Sequence, residues 1–182
     1  EKGYRVTTNP TVFNGVDEDD VIEMFEMVTE WGVEGVMVSP GYHFETIPNQ
    51  DLFISRKNAR KVFKNILDPV RKIRFYNNPL YLDFLRGEQE YQCTAWSNPT
   101  YTVMGWREPC YLLGDRHTQD VNDLYEDAIW EKYGVGNDPR CANCLMHCGF
   151  ESASIFSAMK SPKAAIKLIK EGAVQNSGMG AG

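Results

Sequence analysis

The first 42 residues of this 182-residue chain read as a strand, an amphipathic helix and a second strand. β-branched residues and the turn pair Asn14-Gly15 mark YRVTTNPTVF as a strand. Acidic residues suit the first turn of a helix that ends at Gly32, and VEGVMVSPGY then forms an apolar strand. Strands joined through a helix are usually parallel and buried on both faces. The pattern predicts an α/β fold, with residues 1–42 as one repeat of a (β/α) barrel or open sheet.

Helical patterns recur further along the chain. SRKNARKVFKNIL is a basic amphipathic helix that begins at Ser55, and NPLYLDFLRG is a helix that ends at Gly87. TQDVNDLYEDAIWEKYG is a helix with Asp120 or Thr118 as its cap, and SPKAAIKLIKEG has Ser161 as its N-cap. Residues 91–118 have the pattern of short strands and loops. We therefore predict three parts: an α/β part over residues 1–90, a cysteine-rich α+β part over 91–172 and a disordered tail over 173–182.

The charge of the chain limits the class of partner. The net charge is −6, from 25 acidic residues against 19 lysines and arginines, which argues against a nucleic-acid binder. No apolar run approaches the ~20 residues needed to cross a bilayer, and no signal peptide opens the chain. We therefore expect a cytoplasmic protein. The basic side chains of the second helix favour a solvated face, with peripheral contact to anionic lipid at the inner membrane as the alternative: Arg56, Lys57, Arg60, Lys61 and Lys64.

Three cysteines crowd the segment CANCLMHC near the end of the chain. Cys141, Cys144 and Cys148 follow the spacing C-x2-C-x3-C, so their thiolates can face one metal centre. Soft thiolates select zinc or iron–sulfur clusters. Cys93 and Cys110 are candidates for the remaining ligand, because a glycine between them permits a hairpin that brings them together.

The cysteine spacing alone leaves three alternatives open. The first is a structural zinc site, in which His147 could replace a thiolate, although a hydrogen-bonding neighbour is its more frequent role. The second is a [4Fe–4S] cluster. The third is a set of free structural thiols.

The cysteine pattern resembles a known family. A C-x11-G-x4-C hairpin followed by a C-x2-C group is similar to the SPASM/twitch extension of radical S-adenosylmethionine enzymes. Segments over residues 1 to about 170 are similar, in order and spacing, to the members of that family that act in hopanoid biosynthesis: RVTTNPTVFNGVD, VEGVMVSPGYHFE, LDFLRGEQEYQCTAWSNPT, GWREPCYLLGD and CANCLMHCGFES. The resemblance implies the C-terminal portion of a partial (β/α)6 barrel followed by a cysteine-rich α+β extension that carries an auxiliary cluster.

The resemblance also implies an activity. In such enzymes a [4Fe–4S] cluster reductively cleaves S-adenosylmethionine, with electrons from an external donor. The 5′-deoxyadenosyl radical adds to the terminal alkene of hopene (diploptene), and reduction of the carbon radical gives adenosylhopane. The family's C-x3-C-x2-C motif, which ligates the catalytic cluster, is absent here. We therefore expect the distal part of an adenosyl transferase, inactive alone, with no catalytic residue assigned. The alternatives are another radical S-adenosylmethionine enzyme with an auxiliary cluster, or a non-enzymatic structural zinc module.

Positions for S-adenosylmethionine follow from the same resemblance. The two strands would be the fifth and sixth of the barrel, whose active sites lie at strand C-terminal ends. Thr8 and Asn9 could hydrogen-bond the ribose or the methionyl carboxylate, although strand capping is at least as frequent a role for them. Val38, Ser39 and Gly41 fall where the family's sixth strand passes the adenine, and a plain strand-end turn is the alternative.

Overall fold

The computed structural model describes residues 3–44, 47–68, 70, 73–126 and 130–176. These residues form five α-helices and short strands in a mixed α/β arrangement, without a closed barrel among them. The helices are α1 (Glu18–Glu30), α2 (Arg56–Ile66), α3 (Pro79–Leu85), α4 (His147–Ala158) and α5 (Pro162–Asn176). The strands are β1 (Thr7–Thr8), β2 (Thr11–Val12), β3 (Gly35–Val36), β4 (Ser39–Pro40), β5 (Tyr101–Thr102), β6 (Gly105–Pro109) and β7 (Gly114–Thr118). The partial barrel stays a prediction.

The strand–helix–strand unit at the start of the chain is confirmed. β1 pairs with β3 and β2 with β4, both in parallel. Backbone bonds from Met37 N to Thr8 O (2.8 Å) and from Ser39 N to Pro10 O (3.2 Å) continue the ladder between them. The two short pairs therefore form one parallel ladder.

Helix α1 connects these strands as expected. The side chain of Asp17 accepts from the backbone amide of Asp19, and Gly32 has the positive φ that ends the segment. Ile22, Phe25 and Val28 are its buried side chains. Trp31, directly after the helix, is 72% exposed and lies outside this buried face.

A third extended segment joins the other side of the ladder, and the sequence patterns did not reveal it. Val36 N donates to Arg74 O and Tyr76 N donates to Val36 O, both at 2.9 Å, in a parallel bridge between Val36 and Phe75. Helix α2 precedes this segment, so a second strand–helix–strand connection follows the first. Both α2 and α3 were expected as helices, and their N-caps are Ser55 and Asn78.

Residues 91–118 form short strands and loops, as predicted. β5, β6 and β7 make an antiparallel sheet, and the β5–β6 turn uses Gly105 at φ 118°. The helix expected from residue 118 is wrong for its first part, where a 3₁₀ turn over Val121–Tyr125 begins after Asp120. Residues 127–129 of that expected helix lie outside the described residues.

One hydrophobic core spans the predicted boundary at residue 90. Phe84 of α3 stacks on Phe150 of α4 with ring centroids 4.5 Å apart, and Leu145 belongs to the same cluster. The aromatic side chains Phe63, Phe75 and Tyr81 are also buried there, in the ordinary core role. The domain boundary itself stays a prediction.

The two C-terminal helices differ in how well the sequence predicted them. Helix α4 was missed, and Met146 before it provides no side-chain cap. Helix α5 begins at Pro162 after Ser161, as expected, but continues to Asn176. Residues 173–176 are therefore helical rather than tail, and 177–182 lie outside the described residues.

Candidate metal centre

All five cysteines line one cavity. The cavity contains about 570 Å³ free of atoms, part of it open to solvent. Apolar side chains form most of the remaining wall, with Arg140, Tyr42 and His43 also in the lining. The thiols come from separate loops and from a helix, and all are free: Cys93, Cys110, Cys141, Cys144 and Cys148. Cys93 and Cys148, 55 positions apart in sequence, thus share one cavity. The cysteine spacing alone could not show that they do.

Cys93 is held against the first turn of α4. The next residue, Thr94, donates its amide to Gly149 O at 3.0 Å and its hydroxyl to the same oxygen at 3.1 Å. An ideal Cβ placed on Gly149 would overlap with the sulfur of Cys93. Glycine is therefore required for this close approach. No signal from composition or periodicity pointed to Gly149.

Cys110 and Cys141 reach the cavity from two different loops. Cys110 follows β6, and Leu113 N lies 3.5 Å from its sulfur. Cys141 closes a 3₁₀ turn at Pro139–Cys141. The guanidinium of Arg140 donates to both carboxylate oxygens of Asp115 at 2.7 and 2.8 Å. This pair ties the turn that carries Cys141 to the hairpin that carries Cys110.

Cys144 and Cys148 are anchored from the opposite side. Cys144 N donates to Cys141 O at 3.0 Å, which makes the C-x2-C segment a turn. Cys148 lies in the first turn of α4. Arg56 donates from Nη1 to Cys144 O at 2.8 Å, and its guanidinium lies over Phe84 with Cζ 5.1 Å from the ring centroid. Arg56 of the basic helix is thus engaged in the protein interior.

Backbone amides face several of the sulfurs. Cys93 receives a backbone hydrogen bond from Ala95, Cys141 from Gly134 and Cys144 from Met146. Such bonds stabilise thiolates and tune the potential of iron–sulfur clusters.

Burial acts on the same thiols in the opposite direction. It raises the pKa of Cys93 and that of Cys144 to about 12, and it raises the pKa of Cys110, Cys141 and Cys148 as well. Nearby thiols add to the increase at Cys144 and Cys148. Without a cation in the cavity these cysteines are therefore neutral at pH 7.

Zinc and a four-iron cluster differ in how far apart they hold their ligands. The described residues contain no set of three or more His, Cys, Asp or Glu side chains that could hold one metal ion. A tetrahedral zinc site with Zn–S bonds of about 2.3 Å would draw its sulfurs to about 3.8 Å from one another. A four-iron cluster places its ligands further apart around a larger core. Thiolates are ligands for both groups, and the five thiols that line the cavity are enough for either.

Comparison with known proteins gives a family without an assigned activity. Residues 36–168 match the domain of unknown function DUF3463. The chain belongs to the DUF3463 family. No curated protein and no solved structure matches the chain. The DUF3463 region contains all five cysteines, together with Arg56 and Gly149.

The residues predicted to contact S-adenosylmethionine lie on both sides of the start of the DUF3463 region. Thr8 and Asn9 precede it, whereas Val38, Ser39 and Gly41 lie inside it. Thr8 Oγ1 is buried without a hydrogen-bond partner in the described part of the chain, and Asn9 is exposed.

The candidates on the second strand are engaged within the protein. Val38 N donates to Asn77 Oδ1 at 2.8 Å, and Gly41 N donates to Val12 O at 2.6 Å. A side chain at Gly41 would meet the ring of Phe13. Close packing against Phe13 is therefore enough to explain why a glycine occupies position 41. Contact between Gly41 and an adenine stays a prediction.

The segment that contains Val38 and strand β4 leads directly to the cysteine cavity of the DUF3463 region. Tyr42 and His43 follow β4 and line that cavity. Tyr111 donates its hydroxyl proton to Tyr42 Oη at 3.0 Å. This bond connects the β6–β7 loop to the segment after β4 that lines the cavity. His147 is not among the lining residues, and burial lowers its pKa. No sequence pattern singled out Tyr42 and Tyr111, apart from the general abundance of aromatic residues in the chain.

Proposed function

We propose that this chain is the cysteine-rich part of a radical S-adenosylmethionine enzyme and that its cavity holds an auxiliary [4Fe–4S] cluster. The observation that carries the proposal is the convergence of five free thiols on one apolar cavity. Four thiolates complete a cluster, which leaves one cysteine without a ligand role.

The donor set suits such a cluster in three respects. Thiolates are the ligands that iron–sulfur clusters require. Backbone amides are directed at Cys93, Cys141 and Cys144, and Gly149 leaves room for the first of these sulfurs. Apolar neighbours such as Leu112 limit the access of water. A bound cluster would supply one-electron chemistry, and the residues of this chain would hold it, shield it and set its potential.

The substrate follows from the resemblance. Among the radical enzymes the sequence resembles adenosylhopane synthases, which join the 5′-deoxyadenosyl group to hopene. We therefore propose that the whole enzyme forms a carbon–carbon bond between the C5′ carbon and the terminal alkene carbon of hopene. S-adenosylmethionine releases methionine, and an external low-potential donor supplies two electrons in all. A proton completes the product at the neighbouring carbon.

The binding of S-adenosylmethionine remains part of this proposal. Parallel strands β1–β2 and β3–β4 would be the fifth and sixth of a partial barrel whose cysteine-rich extension follows. The unpartnered hydroxyl of Thr8 is one group available to a polar ligand at that sheet.

A structural zinc site is the second candidate. The C-x2-C turn formed by Cys141 and Cys144 is the observation that favours it, because zinc modules use this turn. Zinc would leave the activity of the whole protein unassigned.

Metal content separates the two candidates. The full chain is reconstituted anaerobically with iron and sulfide, and iron, sulfide and zinc are quantified. We expect four irons per chain and a reduced electron paramagnetic resonance signal, by the composition of the cluster. Cys141→Ala/Cys144→Ala leaves three thiols, too few for four thiolate ligands, and should abolish both, whereas His147→Ala, outside the cavity lining, should retain them. Stoichiometric zinc without iron would reject the cluster.

The substrate is tested with the full-length protein that contains this chain. Incubation with S-adenosylmethionine, diploptene and a low-potential reductant should give adenosylhopane, detected by mass spectrometry. The present chain alone should give none. Formation of 5′-deoxyadenosine without adenosylhopane would leave a radical enzyme with another substrate.

A further inference from the structure

Exposed apolar side chains collect on the C-terminal helical hairpin formed by α4 and α5. Met159 in the connection is 80% exposed, and Ile166 and Ile169 of α5 are 52% and 70% exposed. Ile155 near the end of α4 is 44% exposed. The outer face of a helix in a globular protein normally carries polar residues, so an apolar outer face indicates a contact.

The orientation of α5 is fixed by its inner face. Lys167 forms an ion pair with Asp83 of α3, whose side chain is buried. Ala165 and Leu168 are half-buried on the same helix. Ile166 and Ile169 therefore cannot turn inward without breaking these contacts.

The same hairpin is positively charged in an acidic protein. Residues 154–170 contain no aspartate or glutamate, although the whole chain has a net charge of −6. Their basic residues are Lys160, Lys163, Lys167 and Lys170. Three of these, excluding Lys167, are exposed. Such local segregation of charge creates a positive surface that attracts anionic partners.

Lysine and isoleucine alternate along one row of α5. Lys163, Ile166 and Lys170 are spaced three and four residues apart, which places them above one another on the helix. Ile169 is three residues from Ile166 and adjoins the same row. An apolar strip flanked by lysines is the pattern of helices that lie in the plane of a membrane interface.

We propose that the outer face of α5 docks on an anionic lipid surface. Ile166 and Ile169 enter the boundary between headgroups and acyl chains, while Lys163 and Lys170 contact lipid phosphates. The charge of the hairpin argues for this partner, because a neutral protein surface would gain nothing from the lysines. No helix in the described residues is long and apolar enough to cross a bilayer, so the contact is peripheral. The inference is independent of the proposed function.

Helix α2 provides the matched control. Lys57, Lys61 and Lys64 are exposed on it, so it is equally basic. However, no large apolar side chain is exposed along α2, whose residues are all described. Its lysines would attract anionic lipid only through charge, without an apolar anchor.

Co-sedimentation with lipid vesicles tests the proposal. The full chain is mixed with vesicles of phosphatidylcholine alone or of phosphatidylcholine with phosphatidylglycerol. We expect binding only to the anionic vesicles. Lys163→Gln/Lys170→Gln should weaken binding about 25-fold, because each lysine near the lipid surface contributes a factor of about five. Ile166→Gln/Ile169→Gln should weaken it at least about ten-fold.

The control variant decides between a specific surface and general charge attraction. Lys57→Gln/Lys61→Gln removes the same charge and should leave binding within about two-fold of wild type, because these side chains lie outside the proposed surface. Equal losses in the α2 and α5 variants, or no binding of the wild type, would overturn the proposal. A concentration-dependent dimer that Ile166→Gln/Ile169→Gln converts to a monomer would overturn it in favour of a second copy. Circular dichroism checks that each variant is folded.

Discussion

A methyl group added at Gly149 should destabilise the chain, although alanine is the better helix former. Gly149 lies in the first turn of α4, so the helix gains at most about 0.5 kcal/mol from Gly→Ala. The new methyl would overlap with Cys93 Sγ and approach Ala95 N to 3.6 Å and Cys93 Cβ to 3.7 Å. Overpacking of this kind costs about 1–3 kcal/mol. We therefore expect a net loss of about 1 kcal/mol in the free energy of unfolding.

Gly172→Ala is the matched control for Gly149→Ala. Gly172 is also helical, and an added Cβ there would meet no atom within 4 Å. It should stabilise the chain by about 0.5 kcal/mol, so the two variants should differ by about 1–3 kcal/mol. Urea unfolding of the metal-free, reduced chain measures both. Equal stabilisation by the two substitutions would refute the close packing of Cys93 against α4.

Three further predictions concern the cysteines of the cavity and the ionic contacts that hold the turns on which they lie. Arg56→Lys should lower the free energy of unfolding by about 1.5–3 kcal/mol in urea titration. A single ammonium cannot reproduce the two bonds that the guanidinium donates, one to Cys144 O and one to the carboxylate of Glu90. The Arg140 guanidinium holds the pKa of Asp115 below its usual range, so their pairing stabilises the fold above about pH 4. That stability should be lost as the pH falls through the depressed pKa, and Asp115→Asn should remove this part of the acid dependence. Burial raises the pKa of Cys144 to about 12, so the metal-free chain should lose stability as the pH rises above about 8.5, where the unfolded thiol ionises.

Each of these predictions has an outcome that would contradict it. If Arg56→Lys were as stable as the wild type, the guanidinium would not anchor the cysteine turn. The same acid midpoint in wild type and Asp115→Asn would show that the pair is not formed in solution. For the thiols, thermal unfolding between pH 7 and 11 should shift less in Cys144→Ala than in wild type. An identical alkaline decline in both proteins would remove Cys144 as its cause.

Helix starts and stops were predictable because they depend on neighbours in sequence. Asp17, Ser55 and Asn78 cap the helices that follow them, since their side chains reach amides two or three residues away. Helix α4 was not predictable in this way, because Met146 offers no capping oxygen. The segment around Phe75 was missed because its pairing partner, Val36, lies on a distant part of the chain.

The candidate site was predictable in its ligand type and only partly in its geometry. The spacing of Cys141, Cys144 and Cys148 predicted that they would face a common centre, and a hairpin glycine suggested that Cys110 returns towards Cys93. All five line one cavity. The spacing did not predict which four would bind a cluster, because ligand choice depends on the positions of the sulfurs in the folded chain.

The sequence by itself determined the local elements: the parallel strand–helix–strand unit, the helix caps and the turn that holds Cys141 near Cys144. The caps and the turn depend on hydrogen bonds within a few residues, and the strands and helix of the unit depend on hydrophobic spacing along the chain. Only the tertiary structure decided that Arg56 supports the cysteine turn, that Gly149 makes room for Cys93 and that α5 presents isoleucines outward. Such contacts join residues far apart in sequence, and their geometry is set by the packing of the whole core rather than by any local pattern.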